Sequence, residues 1–395
     1  MSLPYTLHLG DCLQVLRTIP DNSIDSVVTD PPYGLSFMGK RWDYDVPSVE
    51  VWEECLRVLK PGGHLLAFAG TRTQHRMACR IEDAGFELRD MIAWVYGSGF
   101  PKSKNLDGDW QGWGTALKPA LEPITMARKP LAGTVTQNAE EHGTGALHID
   151  SCRVPSEAMP PNTGAGGMPR RRDDEQRGPG ALSQPHPGGR WPANLLHDGS
   201  AEVVALFPAD AGAVSPVRGT EPTANGFSGS VAYSGMRDRV AGAFHADTGS
   251  AARFFYCAKT SRRDRNEGCE EMERRPLHWS SGDANPGSFQ SPGTDKTSQN
   301  HHPTVKPTEL MAYLCRLVTR PGGVVLDPFM GSGSTGKACM REGFKFVGIE
   351  REPPYLAISA ARISHELARA SAEAEATGAS AAQLDIFNDT KEPAA

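Results

Sequence analysis

The sequence predicts an α/β protein, and three observations carry that prediction. Short runs of Val, Ile and Leu alternate with amphipathic helical stretches at both ends of the chain. One apolar run near the front stops at a proline pair, and one near the back stops at a glycine-rich turn. Residues 131–300, by contrast, are dense in Gly, Pro, Ser, Arg and Asp and show few periodic runs.

Taken in order, residues 23–29 (SIDSVVT) form a short β-branched run suited to a buried strand. Residues 48–60 open with Ser48 as an N-cap and Glu50 in the first turn. Val51, Trp52, Cys55, Leu56 and Leu59 then recur at helical spacing until Pro61-Gly62-Gly63 ends the helix. A second strand is expected over 64–69, a helix over 72–84 stopped by Gly85, and a third strand over 86–96. The last hundred residues repeat this grammar. A helix over 306–318 has Pro307 near its start and Leu310, Met311, Leu314, Leu317 and Val318 on one face. Strand 324–326, a glycine-rich turn, helix 335–341 and strand 344–349 follow, with a last helix from Pro353 to about Arg369. The division is therefore 1–130, an inserted region at 131–300, 301–369, and an Ala/Glu-rich tail at 370–395 that is expected to fray.

The chain has 395 residues, enough for two or three domains at roughly 150 residues each and for a sizeable core. Its 41 Lys and Arg against 47 Asp and Glu give a formal charge of −6, which excludes a protein that coats nucleic acid through bulk positive charge. No apolar run approaches the ~20 residues that span a bilayer, and Met1-Ser2-Leu3-Pro4-Tyr5 lacks the basic and apolar parts of a signal peptide. Eight scattered cysteines without a Cys-x-x-Cys pair read as reduced thiols of a cytoplasmic protein. No His-Glu-x-x-His occurs, and no metal site is expected.

The turn after strand 324–326 admits three ligands. Gly331, Gly333 and Gly336 satisfy the dinucleotide pattern G-x-G-x-x-G, with Glu350 ending the next strand where a ribose-binding acid belongs. Gly331, Gly336 and Lys337 also fit G-x-x-x-x-G-K, but Ala338 stands where a phosphate loop needs Ser or Thr, which argues against an NTPase. S-adenosyl-L-methionine is the third ligand, with a ribose for Glu350 and a carboxylate for the turn's donors. The glycine turn alone leaves NAD and S-adenosyl-L-methionine open.

At the front, Asp30-Pro31-Pro32-Tyr33 follows the first buried strand, and two prolines hold the Asp30 side chain and the Pro31 carbonyl at a strand's C-terminal end. Asp30-Pro31-Pro32-Tyr33 in front and Phe329-x-Gly331-x-Gly333 behind resemble the amino-group DNA methyltransferases that modify adenine N6 or cytosine N4. The order, catalytic motif first and cofactor motif last, resembles their beta class. Gly10-Asp11-Cys12, residues 57–63 (RVLKPGG) and residues 302–307 (HPTVKP) align as further landmarks. The resemblance implies a Rossmann-like, S-adenosylmethionine-dependent methyltransferase fold with circularly permuted motif order and an inserted target-recognition region. It implies Asp30, Pro31, Pro32 and Tyr33 as the catalytic set, with Tyr33 stacking on a flipped-out base. Asp11 and Cys12 would border the adenine of S-adenosyl-L-methionine, and Glu350 would bind its ribose. Asp327, Phe329, Gly331, Ser332, Gly333 and Thr335 would surround the methionine moiety, with Asp30, Thr304 and Lys306 lining the same pocket.

The leading expectation is a site-specific, adenine-N6 DNA methyltransferase acting on double-stranded DNA. Cytosine N4 remains the alternative; an NAD-dependent oxidoreductase and a silent DNA-binding module are more distant. The inserted region is slightly acidic, so DNA contacts must be local. Phe100, Lys102 and Lys104 in a glycine-bounded loop, and Arg190 with Trp191, are the candidates; Arg170-Arg171-Arg172, Arg262-Arg263 and Arg274-Arg275 are further basic clusters. The family resemblance also implies a homodimer, and any restriction endonuclease partner would be a separate protein.

Overall fold

The computed structural model describes residues 3–35, 43–99, 103–156, 186–209, 249–258, 261–276 and 297–388. In chain order the elements are β1 (Tyr5–Leu9), α1 (Cys12–Leu16), β2 (Ile24–Thr29), α2 (Val49–Val58), β3 (Leu59–Phe68), α3 (Gln74–Asp83), β4 (Glu87–Val95) and β5 (Leu121–Arg128). Next come α4 (Val135–His142), β6 (Leu195–His197), α5 (Ala201–Val204), β7 (Tyr256–Cys257), α6 (Arg262–Asn266), β8 (Arg275–Pro276) and β9 (Thr297–Ser298). The chain continues through α7 (Thr308–Val318), β10 (Val324–Asp327), α8 (Ser334–Glu342), β11 (Lys345–Glu350) and α9 (Pro353–Asn388). The final helix thus continues into the Ala-rich tail that the sequence expectation ended near Arg369. Ala and Glu are strong helix formers, and no proline or cap stops them there. Among the described residues, no helix is long and apolar enough to cross a membrane.

Nine strands form one sheet in the order β1-β11-β10-β2-β3-β5-β4-β6-β7, with β5 alone running against the rest. This is the Rossmann-like α/β architecture expected from the sequence. Alternation along each strand feeds two cores. Val27, Leu65 and Ala67 face α1, α2 and α3 through Leu16, Trp52, Cys55 and Met77. Val28, Leu66 and Phe68 face the opposite layer with Leu310, Leu314, Ala338 and Ile363 of α7, α8 and α9.

Two differences from the sequence reading have local causes. Pro61-Gly62-Gly63 does not follow a helix but lies inside β3, where the register jumps from Ile24↔Leu59 to Ser26↔His64. Gly62 takes φ +74°, and a Cβ there would stand 2.4 Å from Asn138 Nδ2, whose amide donates to Pro61 O at 2.9 Å. The stretch 131–300, where few periodic runs are expected, in turn supplies β6 and β7 to the main sheet and α6, whose Asp264 holds Lys337 of α8.

The seam between β2 and β10 joins segments some three hundred residues apart. Only Val325↔Ser26 and Leu326↔Val27 are in register, yet side chains clamp both ends. Asp25 Oδ2 accepts from the Val324 amide at 2.8 Å, the Ser26 and Thr319 hydroxyls pair at 2.7 Å, and Thr29 Oγ1 donates to Asp327 Oδ1 at 2.6 Å.

A second link ties the inserted region to α8. Lys337 is fully buried, and its Nζ lies 2.7 Å from both Asp264 Oδ1 and Glu267 Oε2. Asp264 also accepts from the Thr308 amide and hydroxyl at 2.8 and 2.7 Å. Breaking one side of a buried ion pair strands the other. Lys337→Met is expected to lower the unfolding free energy by about 3 kcal/mol in urea denaturation; parental stability would show that this link holds little.

Candidate active site

The parallel strands deliver their C-terminal ends to one edge. Asp30 follows β2, Gly331 follows β10, Glu350 ends β11, and Asp11 follows β1, whose Leu9 pairs with Glu350. Because β5 runs the other way, its first residues reach this same edge.

Asp327 braces the turns after β2 and β10. Its Oδ1 accepts from Thr29 and from the Phe329 amide (3.1 Å), and its Oδ2 accepts from Thr335 Oγ1 at 2.6 Å. Burial pushes the Asp327 carboxyl up to about 6, against the opposing pull of those hydrogen bonds. Asp327 and Thr335 are therefore internal struts of the turn. Phe329 packs edge-on against the buried Trp52, with ring centroids 6.3 Å apart.

Gly331 and Gly333 have φ of +53° and +76°, and a Cβ on Gly331 would lie 2.9 Å from His302 Nε2. The Gly331 amide donates to Glu350 Oε2 at 2.8 Å, and the Glu352 amide to Oε1 at 2.8 Å. Burial raises the Glu350 carboxyl above the usual range. Ser332 is fastened from behind by the buried Arg362, whose Nη1 donates to Ser332 O at 2.6 Å. Lys337, the lysine of the alternative phosphate-loop pattern, is held away from this turn by Asp264 and Glu267.

The segment before α7 closes the site. His302 is buried, and burial drives its imidazole down to about 4. Its Nδ1 hydrogen-bonds the Thr304 carbonyl, which can only accept, so Nε2 is left as an acceptor beside Gly331. Thr304 itself is exposed. Ser334 Oγ donates to Lys306 O at 2.8 Å, tying this segment to the first turn of α8.

Lys306 Nζ stands 2.8 Å from Asp30 Oδ2 and 3.0 Å from Glu122 Oε2. The Tyr33 hydroxyl reaches Asp30 Oδ1 at 2.7 Å and Glu122 Oε2 at 3.1 Å. Burial alone would lower the Lys306 ammonium, but Asp30 and Glu122 outweigh it and hold it above its usual range. Burial, then the two carboxylates, push the Tyr33 phenol well up, so it stays protonated. The turn is rigid: the Tyr33, Gly34 and Leu35 amides donate to the Asp43 carboxylate at 2.6, 3.0 and 3.2 Å. Pro31 is buried and Pro32 half-buried.

Asp11 caps α1, accepting from the Leu13 and Gln14 amides at 3.1 and 3.3 Å. The half-buried Cys12 thiol is pushed up to about 11 by burial and by Asp11. The predicted DNA contacts are placed differently. Phe100, Lys102 and Arg170-Arg171-Arg172 lie outside the described residues. Lys104 is exposed on an arm that leaves β4 toward the Asp30 edge, its amide donating to Thr115 Oγ1 at 3.0 Å. The same arm exposes Trp110 and Trp113, packed edge-on at 5.4 Å, which the sequence reading passed over. Arg190 lies 4.2 Å over the Phe254 ring, and Trp191 is exposed beneath Arg153. Both precede β6 at its N-terminal end, and the structure does not bring them to the Asp30 cluster. Glu122 was also missed: Pro123 beside it reads as a strand breaker, although Ile124 and Met126 carry the buried pattern.

The model of a family described as DNA methylase, of the N6/N4 type, matches residues 24–361, and the chain belongs to that family. It is 33% identical over 201 residues to Type II methyltransferase M.HindIII of Haemophilus influenzae, covering 37% of this chain and 65% of that protein. Over 141 residues it is 33% identical to Type II methyltransferase M.BglII of Bacillus subtilis, covering 31% of this chain and 39% of that protein. The matched stretches are thus less than two thirds of either relative. Among solved structures, the M1.HpyAVI–SAM complex aligns over 91% of this chain and 98% of its own, at 16% identity and a TM-score of 0.41. PvuII DNA methyltransferase (cytosine-N4-specific) aligns over 92% and 87%, at 16% identity and a TM-score of 0.45.

The Asp327 brace has a testable pH signature. Its carboxyl moves from 3.8 to about 6 on folding, so the fold favours the protonated form. That contribution is complete below pH 4 and is lost as pH rises through 6. Asp327→Asn removes the titration, so stability relative to the parent should shift in the variant's favour by roughly 2–3 kcal/mol between pH 4 and 7 in urea denaturation. A pH-independent difference would show that the carboxyl is buried without cost.

Proposed function

We propose that this chain is a site-specific DNA methyltransferase that transfers a methyl group from S-adenosyl-L-methionine to N6 of adenine in a flipped-out base. The observation that carries the reading is the 2.6 Å bond from Thr29 to Asp327, which sets the Asp30 turn beside the glycine turn at one sheet edge.

The residues fit the cofactor. Each oxygen of Glu350 accepts one backbone N–H, which leaves lone pairs for two ribose hydroxyls. Asp11 and Cys12 stand at the neighbouring strand end, where an adenine would lie. Gly331 and Gly333 take positive φ and leave room for His302 and for Ser359 of α9, where a Cβ on either would clash, so the turn can keep its tight path beside Glu350. Bound there, S-adenosyl-L-methionine supplies a methyl on a sulfonium, which leaves as a neutral thioether.

An exocyclic amine is a poor nucleophile because its lone pair is delocalised into the ring. Hydrogen bonds from the amine to the Asp30 carboxylate and the Pro31 carbonyl localise that pair on nitrogen, which attacks the methyl carbon in line. The nitrogen becomes cationic and sheds one proton, for which the Asp30 carboxylate is the acceptor. Tyr33 stacks on the extruded base. A homodimer and a separate restriction endonuclease belong to the same reading.

Wild-type enzyme and Asp30→Ala are incubated with unmethylated genomic DNA and S-adenosyl-L-methionine, and the nucleosides analysed by mass spectrometry. N6-methyladenine is expected from wild type, with at least a ~100-fold loss in the variant. N4-methylcytosine would keep the mechanism and change the base. Absence of both products would defeat the reading.

A further inference from the structure

The Asp30 carboxylate is already engaged on both oxygens. Tyr33 Oη donates to Oδ1 at 2.7 Å, and Lys306 Nζ to Oδ2 at 2.8 Å. A carboxylate paired with a buried ammonium is a weaker acceptor for an incoming amine than a free one. Both partners, however, lie within reach of a second carboxylate, Glu122 Oε2, at 3.1 and 3.0 Å. Tyr33 has a single hydroxyl hydrogen, so it serves one of the two carboxylates at a time.

Glu122 is built to receive them. It sits on β5, in register opposite Trp94 of β4, and, after burial, its charge helps hold the nearby Tyr96 phenol above its usual range. Two carboxylates and one ammonium leave the cluster one negative charge in excess. Where that excess resides depends on which carboxylate Lys306 favours.

We propose that Glu122 is a positioning residue that takes Lys306 and Tyr33 from Asp30 as the target base enters, leaving Asp30 free to accept the amino hydrogens. This rests on the reading of Asp30 given above. The pair exchange needs only tenths of an ångström, because Lys306 already touches both carboxylates. With Glu122 neutralised, Lys306 has a single anionic partner and stays on Asp30.

The test is single-turnover methylation at saturating cofactor and DNA for wild type, Glu122→Gln, Glu122→Asp and the double variant Glu122→Gln/Lys306→Met. Cofactor affinity is measured by calorimetry and folding by circular dichroism. Expected are a rate loss of about tenfold or more in E122Q, an unchanged cofactor Kd, partial recovery in E122D, and a double variant faster than E122Q because no ammonium then occupies Asp30. A structural role would make the double variant slower still. That outcome overturns the proposal, as does wild-type turnover in E122Q. Should E122Q not fold, E122D against E122D with Lys306→Met gives the same comparison. A wild type that methylates neither base defeats the methyltransferase reading itself, which separates that failure from failure of the Glu122 role.

Discussion

Thr29 and Asp327 are 298 residues apart in sequence, and the hydrogen bond between them closes a seam on which the site's geometry depends. Two register pairs between β2 and β10 would be a weak join between distant segments, because closing so long a loop costs entropy before any contact repays it. Three side-chain clamps, at Asp25, Ser26 and Thr29, convert that short contact into a fixed register. A slip of one residue would send Val27 and Val28 to the wrong cores and move Asp30 away from Gly331. The clamp is itself costly, since burial alone pushes the Asp327 carboxyl upward.

Much of this fold was legible because its signals are local. β2, α7, β10 and β11 were expected within about two residues, since β-branched runs and an amphipathic helix announce themselves by periodicity. The Asp30 turn and the glycine turn were visible as motifs for the same reason. What escaped depends on distant partners. β5 carries Pro123 and reads as broken, yet it pairs with β4 along its length and with β3 from Ile124 onward, where the Pro123 carbonyl still accepts from the Ala69 amide. β6 and β7 have three and two residues, too few for any period. Lys337 read as a possible phosphate ligand, and only the fold shows Asp264 and Glu267 closing on it.

The charge arrangement at Asp30 follows from simple magnitudes. Removing an ammonium from water costs several kcal/mol, and one carboxylate at contact returns about 4 kcal/mol at an effective dielectric near 20. A Lys306–Asp30 pair alone would be close to balance. Glu122 tips it, which is why Lys306 is held above its usual range although it is nearly out of contact with solvent. The same surplus carboxylate keeps the cluster negative, as the methyl transfer proposed for this site requires.

α6, from the glycine- and proline-rich stretch between residues 131 and 300, is tied to the glycine turn by buried side chains. Asp264 holds Lys337 of α8 and Thr308 of α7, while Arg362 of α9 bonds both Asp264 O (3.1 Å) and Ser332 O. A shift of α6 would therefore strand a fully buried lysine and a fully buried arginine at once. Their desolvation cost makes intermediate positions unfavourable. The link is accordingly stiff: α6 and the glycine turn hold their positions together or lose them together.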